Sequence, residues 1–92
     1  MTRSDIRLLI IKLKNMSWST QKKLDKSLEQ RKFFLRIVEE EKEGEEYKIG
    51  PDTTVGELLF EQKKLIESYE KEIRENNNLI KKLEKELEEV RI

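Results

Sequence analysis

Leu59, Ile66, Ile73, Ile80 and Leu87 recur at seven-residue intervals, and no glycine or proline interrupts the sequence from Glu57 to residue 92. A heptad of apolar side chains lies along one side of a long helix and forms a seam that another helix must cover. The companion series three residues out of step is Val55, Gln62, Tyr69, Asn76, Leu83 and Val90. Its middle is polar or bulky, so the pattern is not that of a uniform leucine zipper. The start is marked by Thr54-Val55-Gly56-Glu57, which fits a capping box: the threonine hydroxyl accepts from one free backbone N–H and the glutamate reaches back to another. Gly56 in the first turn is an imperfection costing at most ~1 kcal/mol.

With Leu59 as an a position, Leu58, Leu65 and Leu79 occupy g positions and widen the stripe over residues 54–80 to a face suited to a bundle. Beyond it, Leu83, Leu87, Val90 and Ile92 make a narrower stripe that could dimerise or stay open for a partner. The expected oligomer or partner interface is Leu59, Ile66, Tyr69, Ile73, Asn76, Ile80, Leu83, Leu87 and Val90. Asn76 either fixes register by pairing with its counterpart or, with Asn77 and Asn78, marks a loosened turn. Charge does not encode a parallel self-pairing, because Glu86 with Arg91 is the single opposite-charge g-to-e′ pair.

The N-terminal part has shorter signals. Ile6, Leu9, Ile10 and Leu13 have helical spacing, with Ser4 a candidate N-cap and Asp5 in the first turn. Asn15-Met16-Ser17-Trp18-Ser19-Thr20 reads as a break rich in capping residues, after which a second helix starts at Ser17 or Ser19 and carries Leu24, Leu28, Leu35 and Val38. Phe33 to Val38 is aromatic and β-branched, which also suits a strand. A short β-hairpin over about 33–50, turning at Gly44, therefore competes with a helix followed by a connector of about nine residues. Gly50-Pro51-Asp52 punctuates the chain before the long helix.

The expected architecture is mainly α: N-terminal helices packed against a long C-terminal coiled-coil-type helix, in a helical hairpin or bundle. The alternative is α+β with the hairpin. Residues 1–53 form a basic helical region with its connector, and 54–92 the amphipathic helix, in one small domain. Net charge is zero but lopsided. Residues 1–36 carry ten Lys/Arg against three Asp/Glu, hence +7; residues 37–92 carry ten against seventeen, hence −7. Folding the basic part back onto the acidic helix uses that complementarity.

The chain has no cysteine and no histidine, which removes disulfides, thiolate metal sites, zinc fingers and His-based acid–base catalysis. Carboxylate pairs such as Glu39/Glu43 and Glu84/Glu88 read as solvated helix surface, so no enzyme activity, metal or cofactor is expected. The longest apolar run, Leu8 to Ile11, is far short of the ~20 residues of a membrane span and too short for a secretory signal. A cytoplasmic or nuclear location is expected. Richness in Lys, Glu and Ile fits a thermophilic or viral source.

The expected function is that of a small oligomeric scaffold or regulatory adaptor, a homodimer that also binds another protein. The competing reading is a nucleic-acid-binding regulator, in which Lys22, Lys23, Lys26, Arg31, Lys32 and Arg36 contact phosphates and Trp18 stacks on a base. No helix-turn-helix turn or RNA-binding aromatic signature accompanies these residues. Residues 3–14 also resemble a basic amphipathic segment for an anionic membrane surface, though packing of their stripe into a core is the plainer account.

Overall fold

The computed structural model describes residues 1–90. Two long helices, α1 (Arg3–Glu40) and α2 (Val55–Glu89), lie antiparallel as a helical hairpin with an outline of 66 × 19 × 14 Å. A connector with one 3₁₀ turn, Gly44–Glu46, joins them.

α1 is one helix, not two. Its seam runs through the buried and half-buried Ile6, Ile10, Leu13, Ser17, Thr20, Leu24, Ser27, Phe34 and Val38, an alternation of four- and three-residue steps with Arg31 in the remaining place; Arg3, Leu9 and Ile37 are half-buried beside it. That heptad phase runs straight through the expected break at 15–20. Ser, Thr and Asn each cost a few tenths of a kcal/mol relative to alanine in a helix, but Ser17 and Thr20 sit in the seam. There a small side chain lets the two backbones approach, and tertiary packing outweighs local propensity.

The N-cap is Thr2 rather than Ser4. Its hydroxyl accepts from the Asp5 backbone N–H at 3.2 Å, and the Asp5 carboxylate accepts from the Thr2 N–H at 3.1 Å, a closed capping box. Hydrogen bonding of the carboxylate by Thr2, its backbone N–H first and its side chain second, lowers the Asp5 carboxyl pKa from its ordinary value. At α2 the Thr54 hydroxyl accepts from the Glu57 N–H at 3.2 Å, as the sequence suggests, but the return bond expected from the Glu57 side chain is not formed, so this cap is half a capping box.

The β-hairpin over 33–50 is not formed. Residues 33–38 are helical, and among the described residues the extended pairing amounts to one isolated antiparallel bridge, Lys48 to Thr54. Phe34 and Val38 continue the α1 seam, and that burial overrides the strand preference of the segment. α1 stops at Glu40, so the connector spans residues 41–54, longer than expected. Gly44 lies within it at φ +57°, the left-handed region that glycine enters without a Cβ penalty.

The connector is fastened to α2. The Val55 N–H donates to the Tyr47 carbonyl at 2.9 Å, and Val55 is fully buried. Gly56 is what permits the fit: a Cβ there would stand 3.1 Å from the Glu45 carbonyl oxygen and 3.2 Å from Glu45 Cβ. The apparent imperfection in the capping sequence thus lets the Glu45 turn lie close against α2, and a larger residue would have to push it back.

Candidate interaction surfaces

The seam residues singled out in α2 are covered from within the chain. Ile80 and Leu83 form the main apolar cluster with Ile6, Ile10 and Leu13, and Leu9 and Leu87 pack against it. Ile66 is buried as well; Leu59, Tyr69, Ile73 and Asn76 are half-buried, and Val90 is exposed. The distal stripe, expected to dimerise or stay open for a partner, is thus closed at Leu83 and Leu87 by the first turns of α1, while Ile92 of that stripe lies outside the described residues. The stripe of residues 3–14 that suggested a membrane surface is the other half of that cluster.

The middle of the seam is polar. Gln62 Nε2 donates to Gln30 Oε1 at 2.8 Å, while Gln62 Oε1 is buried with no partner. The register set by Gln30–Gln62 towards the loop and by the Ile10–Leu83 cluster towards the chain ends places Ser17 and Asn76 in one layer. Both carry a buried atom without a hydrogen bond, Ser17 Oγ and Asn76 Nδ2.

Opposite net charges do not hold the helices together through ion pairs. Among the described residues the one pair within 4 Å is Lys14–Glu84, at 3.8 Å and well exposed, worth at most ~1 kcal/mol. Burial of the seam is the main attraction.

That ion pair does identify one broad face of the hairpin. Lys14 and Glu84 occupy e positions of their helices, and the same face continues through Gln21, Asn77, Glu70 and Lys63, with Leu28 and Leu35 near the loop. Towards the loop it forms an open groove of about 600 Å³ whose walls include Leu28, Leu35, Phe60 and Lys63.

The opposite broad face carries the g positions, and six of the ten are apolar, with Lys23 and Glu72 at its middle, Gln30 on the loop side and Glu86 near the termini. Leu9, Met16 and Leu79 lie towards the termini, and Ile37, Leu58 and Leu65 towards the loop. Met16, Leu65 and Leu79 are 50%, 40% and 43% exposed. The α1 share of this face was legible only by carrying one heptad phase across residues 15–20.

The basic residues proposed for nucleic acid do not converge on one patch. Lys22, Lys26, Lys32 and Arg36 are on the outer side of α1, among Asp25 and Glu29. Lys23 belongs to the apolar broad face, and Arg31 lines the groove on the other. Trp18 is exposed, but Lys22 Nζ sits 3.7 Å from its ring centroid, a cation–π contact that occupies one ring face.

No helix among the described residues is long and apolar enough to cross a membrane. In comparisons with protein-family models, curated proteins and solved structures, none matches this chain.

Proposed function

We propose that the chain is a protein–protein interaction module, a scaffold or regulatory adaptor that self-associates as a homodimer and presents a helical hairpin to another protein. The carrying observation is the broad face with exposed Met16, Leu65 and Leu79. Two helices make a core one layer thick, and a bundle of four buries such residues where a hairpin leaves them wet. The reading shifts the contact surface away from the a and d seam, which α1 already covers. It includes no catalysis, and a cysteine-free chain fits a cytoplasmic or nuclear setting.

The test is the mass of the full chain by light scattering across a concentration series, with tagged protein as bait in its native source. A mass near twice 11.1 kDa is the expected result. A mass of one chain at every concentration, with no specific protein retained, would remove the proposal.

Nucleic-acid binding is the second reading, favoured by Lys22, Lys26, Lys32 and Arg36 sharing the outer side of α1 with exposed Trp18 and Phe33. It requires affinity that falls steeply with salt and is lost on changing Lys22, Lys26 and Arg36 to Glu. Absence of binding to DNA and RNA at low salt would eliminate it.

A further inference from the structure

The two broad faces differ in a way that specifies an occupant. One is crossed by charged and amide side chains along most of its length. The other is mostly apolar towards both ends, with Gln30 and Glu86 the polar residues there, and at its midpoint it has one cation and one anion: Lys23 on α1 and Glu72 on α2. Both are exposed, and neither has an ion-pair partner within 4 Å among the described residues. Two opposite charges side by side in an apolar face suit a surface that repeats itself with the charges exchanged.

Only one way of stacking two such faces achieves that exchange. If the two-fold axis runs across the hairpins, the helices superpose on their own copies with loops at opposite ends. Lys23 then meets Lys23 and Glu72 meets Glu72. If the axis runs along the hairpins, α1 of each copy lies over α2 of the other with both loops at the same end. Lys23 then meets Glu72 of the second copy, Met16 meets Leu79, and Ile37 meets Leu58. In both arrangements every helix is antiparallel to its neighbours, so the charges decide between them. Like charges opposed at the centre of an interface are a strong veto, and opposed unlike charges fix register. The 66 × 19 Å outline of the face exceeds the ~800 Å² that each partner of a standard stable interface contributes.

We infer that a second copy of this chain docks on the face bearing Met16, Lys23, Leu65, Glu72 and Leu79, related by a two-fold axis parallel to the helices, to give a four-helix bundle with both loops at one end. This rests on the self-association proposed above and names its surface and geometry.

The experiment uses the full chain. Lys23→Glu and Glu72→Lys each weaken the dimer by roughly tenfold or more, and the double exchange Lys23→Glu/Glu72→Lys restores it. Leu65→Asp/Leu79→Asp gives a helical monomer by light scattering and circular dichroism. Because the chain has no cysteine, Glu43→Cys places a single spin label near the loop. The expected label-to-label distance is comparable with the width of a bundle. A distance approaching the 66 Å length would overturn the orientation, and failure of the double exchange to rescue would overturn the pairing. A dimer indifferent to all these changes places the interface elsewhere and leaves self-association standing. A wild-type chain that is monomeric throughout overturns both.

Discussion

Replacing Asn76 by leucine should stabilise the hairpin, although asparagine in a helical seam is commonly kept for specificity. Asn76 Nδ2 and Ser17 Oγ are both buried without a hydrogen bond, and each such atom costs about 1–3 kcal/mol. Leucine removes one of them and adds apolar surface at a half-buried position. Half of the ~1.5–3 kcal/mol for a fully buried leucine is a fair share. Against this stands overpacking of about 1–3 kcal/mol, moderated by the small serine across the layer. The net is a gain of roughly 1–2 kcal/mol, which raises Tm by about 4–16 °C for a domain of this size.

Thermal unfolding followed by circular dichroism reads the effect, with every variant at the same protein concentration because self-association makes Tm concentration-dependent. Ser17→Ala completes a double-mutant cycle. Residues in one layer should be coupled by about 0.5–3 kcal/mol, whereas independent sites add to within ~0.5 kcal/mol. A lower Tm for Asn76→Leu with helicity intact would show that the amide is satisfied in solution. Strict additivity with Ser17→Ala would show that the two do not share a layer and that the register is wrong.

Two further outcomes follow from the caps and the connector. Gly56→Ala should lower stability by about 1 kcal/mol in urea unfolding: the helix-propensity gain of ~1 kcal/mol is outweighed by an overpacking cost of about 1–3 kcal/mol against Glu45, whose turn is held to α2 by the Tyr47–Val55 bond. A more stable variant would mean that the 3₁₀ turn yields freely. Asp5 has a carboxyl pKa lowered by its bonds to Thr2, so its contribution is complete above the ordinary carboxylate range and disappears as pH falls through the lowered value. Asp5→Asn should therefore remove that part of the acid-side loss of α1 helicity, and carboxyl NMR should titrate Asp5 below the ordinary aspartate value. Titration of Asp5 at or above that value would contradict the capping box.

Much of the architecture is legible in the residues, and the misses have a common origin. α2 is written plainly, because five apolar a positions and a capping threonine leave little freedom. α1 is harder because its seam spends Ser17, Thr20 and Ser27 where a hydrophobicity count looks for leucine. Each small polar residue resembles punctuation until the phase from Ile6 to Leu13 is carried forward to Leu24 and Phe34. Phe33 to Val38 misleads for the opposite reason, since strand-forming side chains serve a helical seam equally well when a partner helix covers them. The role of Gly56 is invisible locally, being set by Glu45 eleven positions away in the folded loop. The interaction surface was half visible: Leu58, Leu65 and Leu79 mark it on α2, but its other half needs the α1 phase.

The antiparallel packing of α1 and α2 also brings the first and last turns together, with Arg3, Arg7, Leu87 and Glu88 around one hollow. The start of α1 and the last turn of α2 therefore stand side by side, with the loop at the far end of a body 66 Å long. Mechanically this makes the hairpin a stalk: it can be inserted into a host without prying the host's own chain apart, and whatever the tip carries is held at arm's length from the point of attachment.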